Sequence, residues 1–492
     1  MAFDAATYIL IAIPIVLYIL YWLAYGRFKS TKYVGPGIVP FLGNYWDLRQ
    51  SGFNLHTLLE FYYKKYGKVY DFHYQGEPVT VVGEESIAKE ILGKKFQHFQ
   101  NRKFFIDLPW PCDNMITLLK DDKWKYVRAL LTPFFTPHSL QNMSPLINKA
   151  VDTYLEKLDE VEKKKESFDV VSHSKGFIME TLLSIVFTLD CPNQSDFNKT
   201  LINLTKEFTQ PPKWVNTVAA LPFGQHLVKY IPSAFKNQLQ PFIDTALGVV
   251  AGRRKEEGGK YKDVLEALFN VQKEGPDTSG NVLLDEDILA QGIVILTAVH
   301  VATSSTLAMA MYYIAKHKQV QEKIYEDIGA LAGEEGFPTW ENVNREMMYL
   351  EHVIDETLRL HPSAYILMRE CNETCKIEAM TFEKGSNIFI PVRAMHYDAT
   401  YWEDPQTFNP DRFSDPTVKK GSAYLPFGAG LRKCLGFRMA IIALKLALAR
   451  ILQRYEITLK DDKNITTSSD FTVQATSSID EPIMLQLKQR ST

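Results

Sequence analysis

The sequence predicts a mainly α-helical protein with small β-sheets, an α+β fold, in which one large domain follows an N-terminal membrane helix. The 492 residues are 46% hydrophobic, so the chain must bury a large core. Residues 69–74 and 79–82 are short apolar runs bounded by turn signals, a pattern typical of a small early sheet. Most of the remaining sequence has the patterning of helices, most clearly over residues 288–315.

The N-terminal segment is typical of a membrane anchor. Residues 5–25 carry no charge and would span about 30 Å as a helix, enough to cross a bilayer. Arg27, Lys29 and Lys32 follow this segment, which places the rest of the chain in the cytoplasm. A cleaved signal peptide normally has a shorter apolar centre that is preceded by positive charge. We therefore expect an uncleaved, single-pass transmembrane anchor at 1–27, a basic and proline-rich connector at 28–44, and one folded domain at 45–492.

The charge balance and the cysteine count exclude two other classes of protein. Lys and Arg total 55 against 58 for Asp and Glu, so no overall basic field favours nucleic acid as a partner. The cysteines are five in number and scattered, apart from Cys371 and Cys375, which argues against a secreted disulfide framework. A cysteine with a special role is therefore expected to be a ligand or a nucleophile, and the others to be ordinary cytoplasmic thiols.

The uncharged stretch 288–315 is predicted to be one long helix inside the core. The acidic residues 285–287 mark its start, as expected at a helix N-terminus. Gln291, Thr297, His300 and Thr303 make its centre too polar for lipid. The polar residues are expected to face a cavity or a cofactor.

A glycine-rich loop at 427–436 surrounds one cysteine, Cys434. Glycines on both sides allow close backbone approach and leave amide groups free to point at the sulfur. Arg432 lies two residues away and a helical run follows, and both features favour the thiolate form. Taken alone, such a cysteine can be structural or functional.

This loop carries Phe-x-x-Gly-x-Arg-x-Cys-x-Gly at every fixed position and resembles the haem-binding signature of the cytochrome P-450 family. Three further segments carry the same resemblance in the right order and spacing. Residues 356–359 match Glu-x-x-Arg, residues 408–413 resemble the Pro-x-Arg-Phe segment, and residues 124–128 match Trp-x-x-x-Arg. Together with the anchor and the connector, the resemblance covers essentially the whole chain.

The resemblance implies that residues 45–492 form a haem-thiolate catalytic domain binding haem b, iron protoporphyrin IX, through the axial thiolate of Cys434. It also implies a buried network of Glu356, Arg359 and Arg412 that holds the cysteine loop against the core. The other residues that the resemblance assigns to the cofactor, mostly to its propionates, are Arg128, Trp124, Arg369, Arg432, Phe427 and Arg102.

The long helix departs from the family pattern. The family usually has an acid followed by a threonine that deliver protons to iron-bound oxygen, and these positions are Val301 and Ala302 here. Thr303 is one residue further, and Ser305 lies close to the face of Ala302. A local helix bulge or a bridging water is expected if Thr303 replaces the missing pair. His300 is expected to point away from the haem as a satisfied polar core residue.

Residues 424–430 and 356–362 most resemble the microsomal group that contains the vertebrate drug-metabolising family 3 enzymes and thromboxane synthase. This implies a monooxygenase of the endoplasmic-reticulum membrane that oxidises a lipophilic small molecule such as a xenobiotic, a steroid or a fatty-acid-like compound. Its implied partners are membrane lipid, cytochrome b5 and a membrane reductase that delivers electrons from NADPH, docked at a basic patch of Arg432, Lys433 and Arg438.

Two alternatives remain open at this stage. The missing acid-threonine pair is compatible with a reductase-independent isomerase or dehydratase of a lipid peroxide or endoperoxide, and the haem loop alone is compatible with a non-catalytic sensor or carrier. Substrate-pocket walls are expected at 104–110, 210–223, Ala298, Ala302, 364–367 and 471–473.

Overall fold

The computed structural model describes residues 12–19, 32–39, 42–105, 108–189, 195–209, 213–219, 221, 232–255, 263–277, 279–331, 340, 342–461, 468–469, 477–479 and 481–490. Residues 12–19 are helical with exposed apolar side chains, and the rest of the predicted anchor lies outside the described residues. The division of the chain at residues 27 and 44 therefore stays a prediction.

The molecule is mainly helical. Its α-helices are α1 Tyr45–Gln50, α2 Leu55–Tyr66, α3 Glu85–Lys89, α4 Asp121–Leu131, α5 Pro137–Lys164, α6 Val170–Phe187, α7 Asp196–Thr209, α8 Lys213–Ala219, α9 Pro232–Arg254, α10 Val264–Glu274, α11 Asp285–Lys316, α12 Lys318–Leu331, α13 Met348–Leu360, α14 Val392–His396, α15 Pro416–Lys420 and α16 Phe437–Arg454. Short 3₁₀ segments lie at Phe96–Phe99, Cys112–Asn114, Thr132–Phe135, Pro410–Ser414 and Gly430–Arg432, and π-helical segments at Glu90–Lys94, Ile295–Val299 and Asn342–Glu346.

The strands form small sheets at the edges of this helical body. They are β1 Val69–Tyr74, β2 Glu77–Val82, β3 Ser167–Asp169, β4 Leu367–Glu370, β5 Cys375–Ile377, β6 Met380–Phe382, β7 Asn387–Ile390, β8 Tyr455–Leu459, β9 Ser468–Ser469, β10 Ser477–Ser478 and β11 Met484–Gln489. The largest sheet has the order β1-β2-β7-β4, in which β2 and β7 are parallel and the other neighbours antiparallel. β3-β11-β8 is an antiparallel sheet, and β5 with β6 and β9 with β10 are two-stranded pairs. The predicted α+β class and the predicted early strands are confirmed.

Helix α11 runs through the centre of the main core. It packs against α6, α13 and α16, and its apolar side chains belong to the largest buried cluster. Among the described residues, α6 and α11 are the two helices long and apolar enough to cross a membrane, but 78% of α6 and 83% of the apolar 18-residue stretch of α11 are buried inside the protein. Other helices cover the apolar side chains of α6 and α11, so both are helices of the protein core. For α11, the polar centre of the helix had predicted this.

Local chemistry fixes the ends of the elements that flank the site. The Asp169 carboxylate accepts hydrogen bonds from the amides of Val171 and Ser172 and starts α6. The Leu284 amide donates to the Asp287 carboxylate at the start of α11. These caps satisfy backbone groups that a helix end leaves without partners.

Candidate functional site

The glycine-rich loop folds into a tight bend that presents Cys434. Gly428 and Gly430 both have φ of +68°, a conformation that other residues rarely adopt. A Cβ atom at Gly430 would lie 1.8 Å from the Leu92 carbonyl oxygen, so the loop also packs too closely for a side chain there. The Cys434 amide donates to the Phe427 carbonyl at 2.9 Å, which closes the bend. Helix α16 begins three residues after the cysteine, at Phe437.

Cys434 opens into a cavity of about 270 Å³ between the loop, α4, α11 and the segment that precedes β4. Its side chain is exposed to this cavity although protein surrounds it. The cavity brings together most of the residues that the sequence assigned to cofactor and catalysis, namely Cys434, Arg102, Trp124, Arg128, Arg432, Phe427, Ala302 and Thr303. Arg369 lies behind this wall, fully buried, and does not line the cavity.

Four arginines gather beside the cysteine, each positioned by backbone carbonyls. Arg128 donates to the Lys433 carbonyl at 2.9 Å, and Arg102 to the Arg432 carbonyl at 3.2 Å. The Arg432 guanidinium donates to the Gln100 and Leu119 carbonyls at 2.9 and 2.8 Å. Arg369 donates to the Met368 carbonyl at 2.7 Å. The arginines thereby tie the cysteine loop to α4 and to the segments on either side of it.

Trp124 supports this arrangement from α4. Its buried ring lies 3.9 Å from the centre of the Arg432 guanidinium, a stacked cation–π contact. The Arg128 guanidinium, one turn further along α4, is 6.0 Å from the same ring. Trp124 therefore fixes the orientation of two arginines and also lines the cavity.

The cluster carries positive charge without a matching acid. Burial and the neighbouring guanidinium groups lower the pKa of Arg432 to about 8 and of Arg102 to about 10, and burial lowers the pKa of Arg128 and of Arg369. Within the part of the chain that the structure describes, no carboxylate lies within 4.0 Å of any of the four guanidinium groups. Arg369 also has a buried Nε with no hydrogen-bond partner. The site therefore fits a bound group that brings carboxylates, as haem does with its propionates.

The environment of the Cys434 thiol differs from the sequence-based expectation. Burial raises its pKa, and this outweighs the opposite effects of the Gly436 amide and of Arg128, Arg102 and Lys433. The neighbouring groups therefore favour the thiolate, as the sequence indicated, but the apolar surroundings cost the anion more than these groups return. A coordinated metal ion would supply the missing stabilisation, since binding displaces the thiol proton.

Helix α11 contains a π-helical segment over Ile295–Val299, beside the cavity. Ala298, Ala302, Thr303 and Thr306 all line the cavity, whereas Ser305 and Val301 do not. The Thr306 hydroxyl donates to the Ala302 carbonyl at 2.8 Å. Thr303 and Ser305 lie on opposite sides of Ala302 around the helix axis, and the cavity faces the side that carries Thr303 and Thr306. Of the two hydroxyl residues that the sequence offered in place of the missing pair, Thr303 therefore lines the cavity and Ser305 does not.

His300 points away from the cavity towards α6. Its Nε2 is 3.1 Å from the Lys175 carbonyl, and burial lowers its pKa to about 4. The geometry places it as a polar core residue and not as an iron ligand.

Glu356, Arg359 and Arg412 meet at the end of α13. Arg359 donates to both Glu356 oxygens, at 2.6 and 2.8 Å, and to the His396 and Pro405 carbonyls at 2.8 and 2.7 Å. Arg412 donates to Glu356 at 3.1 Å. Glu356 and Arg359 are 0% exposed, so the pair is fully removed from water.

The predicted pocket walls are found in part. Phe104, Ala298, Ala364, Ile366 and Leu367 line the cavity. Residues 106–107, 210–212, 222–223 and 471–473 lie outside the described residues. Trp110 is 52% exposed in a turn and does not line the cavity.

The basic patch predicted for docking is smaller than the sequence suggested, because Arg432 is buried and points inward while Arg438 is exposed and Lys433 half-buried. Sequence reasoning also missed Thr306 and Ser363, which line the cavity and both donate to the Ala302 carbonyl. The four-residue spacing between Ala302 and Thr306 was the available signal.

Comparison with known proteins identifies relatives along the whole chain. The family model described as Cytochrome P450 matches residues 34–486. The chain is 30% identical over 470 residues to cytochrome P450 3A14 of Cavia porcellus, covering 92% of this chain and 91% of that protein. It is 30% identical over 499 residues to cytochrome P450 3A5 of Homo sapiens, covering 98% and 97%. Cytochrome P450 3A6 of Oryctolagus cuniculus is 30% identical over 468 residues, covering 93% and 92%.

Proposed function

Because this chain belongs to the cytochrome P450 family of haem-thiolate monooxygenases, we propose that it inserts oxygen into a lipophilic small molecule of the xenobiotic, steroid or fatty-acid class. The family uses haem b, cysteine ligation and electrons that reach the haem from NADPH through a reductase. The single observation that carries the proposal is the shared cavity of Cys434, the arginine cluster and the apolar face of α11.

Cys434 is proposed as the residue that would hold the haem iron. Haem held by a cysteine thiolate would supply the chemistry that activates dioxygen. The hydrogen bond from the Cys434 amide to the Phe427 carbonyl fixes the bend that carries the sulfur, and helix α16 begins just beyond it. The Cys434 side chain faces the cavity, where the iron would bind.

Arg102, Arg128 and Arg432 are proposed to hold the propionates, with Trp124 orienting them. Each guanidinium already uses part of its donor set on backbone carbonyls, which fixes its direction before a ligand binds. Arg369 is proposed to contribute positive charge from behind the cavity wall, because its side chain is buried there and does not line the cavity. Carboxylates would offset the burial and the mutual repulsion that lower the pKa of Arg432 and Arg102.

The substrate is proposed to occupy the cavity beside α11. Phe104, Ala298, Ala364, Ile366 and Leu367 present apolar surface there. Small residues at 298 and 302 leave room close to the position that the cofactor would occupy. Apolar walls favour a lipophilic molecule and exclude water from the reacting centre.

Thr303 is proposed to hold the proton-donating water in place of the acid-threonine pair. Its side chain lines the cavity one residue beyond Ala302, next to the π segment of α11. Thr306 and Ser363 both donate to the Ala302 carbonyl, so the polar groups of this wall lie together. A hydroxyl can accept a hydrogen bond from water and donate one to a bound group.

The cellular setting is part of the proposal. We propose a single-pass anchor at 1–27 in the endoplasmic-reticulum membrane, with the domain at 45–492 in the cytoplasm. The exposed apolar side chains of the helical residues 12–19 and the positive charge that follows support this topology. The proposed protein partners are the reductase and cytochrome b5, which would approach near Lys433 and Arg438.

A second function has one observation in its favour. Val301 and Ala302 replace the residues that monooxygenases use to move protons, and an isomerase or dehydratase of a lipid peroxide needs no such transfer. Thr303 in the cavity wall favours the monooxygenase.

The experiment compares the two reactions on the same haem-loaded protein. We expect NADPH consumption that requires the reductase and that yields an oxygenated product from at least one member of a lipophilic panel. Rapid rearrangement of a lipid hydroperoxide without reductase, together with no reductase-dependent product, would instead establish the second function.

A further inference from the structure

Two cysteines that the proposed function does not use lie side by side behind the arginine cluster. Cys371 directly follows β4, the strand that carries Arg369, and Cys375 begins β5. Both are free thiols. They are the one pair of cysteines that lie close together in the sequence, four residues apart.

The backbone fixes Cys371 on both sides. Its amide donates to the Ser386 carbonyl at 2.9 Å, and its carbonyl accepts from the Gly385 amide at 2.7 Å. The next amide, that of Asn372, donates to the His98 carbonyl at 2.8 Å. Cys371 therefore cannot swing away from the turn that follows it.

The same turn places Cys375 near the Cys371 sulfur. Cys375 pairs with Phe382 across the β5–β6 hairpin, and the Cys371 Sγ lies 3.6 Å from the carbonyl oxygen of that same Phe382. The Cys371 Sγ also lies 3.1 Å from the Glu373 carbonyl. The Cys375 side chain packs against the same buried cluster that contains Cys371.

We propose that Cys371 and Cys375 are a thiol modification site that closes to an intramolecular disulfide by exchange with a small disulfide such as oxidised glutathione. The two thiols differ in access, since Cys371 is 1% exposed and Cys375 is half-buried. Access therefore assigns Cys375 as the attacking group and Cys371 as the resolving group.

The exchange balances in two steps. The Cys375 thiolate attacks one sulfur of oxidised glutathione, which breaks the S–S bond and releases one glutathione thiolate. The Cys371 thiolate then attacks the Cys375 sulfur of the mixed disulfide and releases the second glutathione. The two cysteines lose two electrons and two protons, and oxidised glutathione takes up both to become two reduced glutathione molecules.

Burial of the two thiols makes this reaction slow. It raises the pKa of Cys371 to about 11 and also raises that of Cys375, while the positive charge of Lys95 favours the Cys375 thiolate. The exchange is therefore slow and needs long equilibration, and it selects Cys375 over the deeply buried Cys112, whose pKa burial raises to about 12.

The test uses the purified full-length protein loaded with haem. The protein is equilibrated with oxidised glutathione, its remaining thiols are alkylated, and its peptides are mapped by mass spectrometry without reduction. We expect a cross-linked peptide that joins Cys371 to Cys375, two hydrogen atoms lighter than the sum of its parts and lost after treatment with dithiothreitol. The haem absorption spectrum, measured on the same sample, verifies that the protein stays folded.

Three variants assign the roles. Cys375→Ser should leave Cys371 alkylated and free of glutathione, whereas Cys371→Ala should keep glutathione on Cys375 because nothing resolves it. Cys112→Ala is the matched control and should form the link as the wild type does. The proposal is overturned if both wild-type thiols remain alkylatable after equilibration, or if glutathione stays on wild-type Cys375 while Cys371 is alkylated.

Discussion

Thr303 is the residue that most favours a monooxygenase over the alternative function. It shares the cavity wall with Ala298, Ala302 and Thr306, while the alternative hydroxyl, Ser305, does not reach the wall. The sequence identified Thr303 by its neighbourhood to the missing pair, but an ideal helix places Ser305 nearer to the face of Ala302. The cavity faces the side of α11 that carries Val299, Ala302 and Thr306, so Thr303 borders it while Ser305, on the other side of Ala302, does not.

Replacing Thr303 should uncouple electron use from product. In Thr303→Ala the hydroxyl that positions the proton-donating water is lost, and general-acid assistance of this kind is commonly worth ~10²–10⁴-fold. We expect at least about a tenfold fall in product formed per NADPH consumed, with hydrogen peroxide released instead. The control is Ser305→Ala, on the same helix and turned from the cavity, which should keep the wild-type ratio. Equal coupling in Thr303→Ala and wild type would contradict this role.

At the scale of elements, the end of α13 is held by a charge network that the sequence indicated and the structure completes. The three-residue spacing of Glu356 and Arg359 predicted a pair on one helical face. Only the fold shows that the His396, Pro405 and Thr407 carbonyls also accept from Arg359, at 2.8, 2.7 and 3.3 Å. These carbonyls come from segments up to 48 residues away, so no local pattern reveals them. The network thus joins α13 to the chain that leads into the cysteine loop.

Removing Arg359 should cost both stability and haem. Arg359→Ala leaves the Glu356 carboxylate buried with fewer partners, which costs about 3–5 kcal/mol. We expect a protein with strongly reduced haem content, measured from the absorbance of the haem relative to that of the protein. Lys323→Ala is the control, because its ion pair with Asp411 is exposed and its loss should change the free energy of unfolding by less than about 0.5 kcal/mol. Normal haem content in Arg359→Ala would refute the structural role.

At the scale of the whole molecule, the sequence predicted the helical body, the early sheet and the chemistry of the cysteine loop, because periodicity and a dense motif are local signals. Two properties could not be predicted without the three-dimensional fold. Arg432 points into the core, where it donates hydrogen bonds to the Gln100 and Leu119 carbonyls. It is therefore not part of the surface patch expected around Cys434. The meeting of Cys371 with Cys375 depends on the hairpin register at Phe382, which composition does not encode.

Buried histidines should make the folded protein sensitive to acid. Burial lowers the pKa of His56, His361 and His396 to about 3 and of His300 to about 4. A depressed pKa gives stability that is present above the unfolded value of about 6.5 and is lost as the pH falls through the folded values. Asp355, whose pKa burial raises to about 6, acts in the opposite sense, because its contribution is lost as the pH rises from about 4 through 6.

Burial also lowers the pKa of His73 to about 4, and these histidines outnumber the acids whose pKa burial raises, which are Asp355, Glu60 and Asp71. The free energy of unfolding should therefore fall by up to about 1.4 kcal/mol per histidine for each pH unit below 6.5. Urea unfolding at a series of pH values, followed by circular dichroism, measures this slope. His56→Phe should reduce the slope by one proton, whereas His138→Gln, at an exposed position, should leave it unchanged. A free energy of unfolding that stays constant from neutral pH to about pH 5 would show that these histidines are not held neutral.

The carbon-monoxide difference spectrum of the reduced protein tests whether Cys434 binds haem iron as a thiolate. The wild type should give the long-wavelength Soret band that distinguishes thiolate-ligated from histidine-ligated haem, and Cys434→His should lose that band even where haem is retained. A wild-type protein that binds haem without this band, or a Cys434→His variant that keeps it, would rule out thiolate ligation by Cys434.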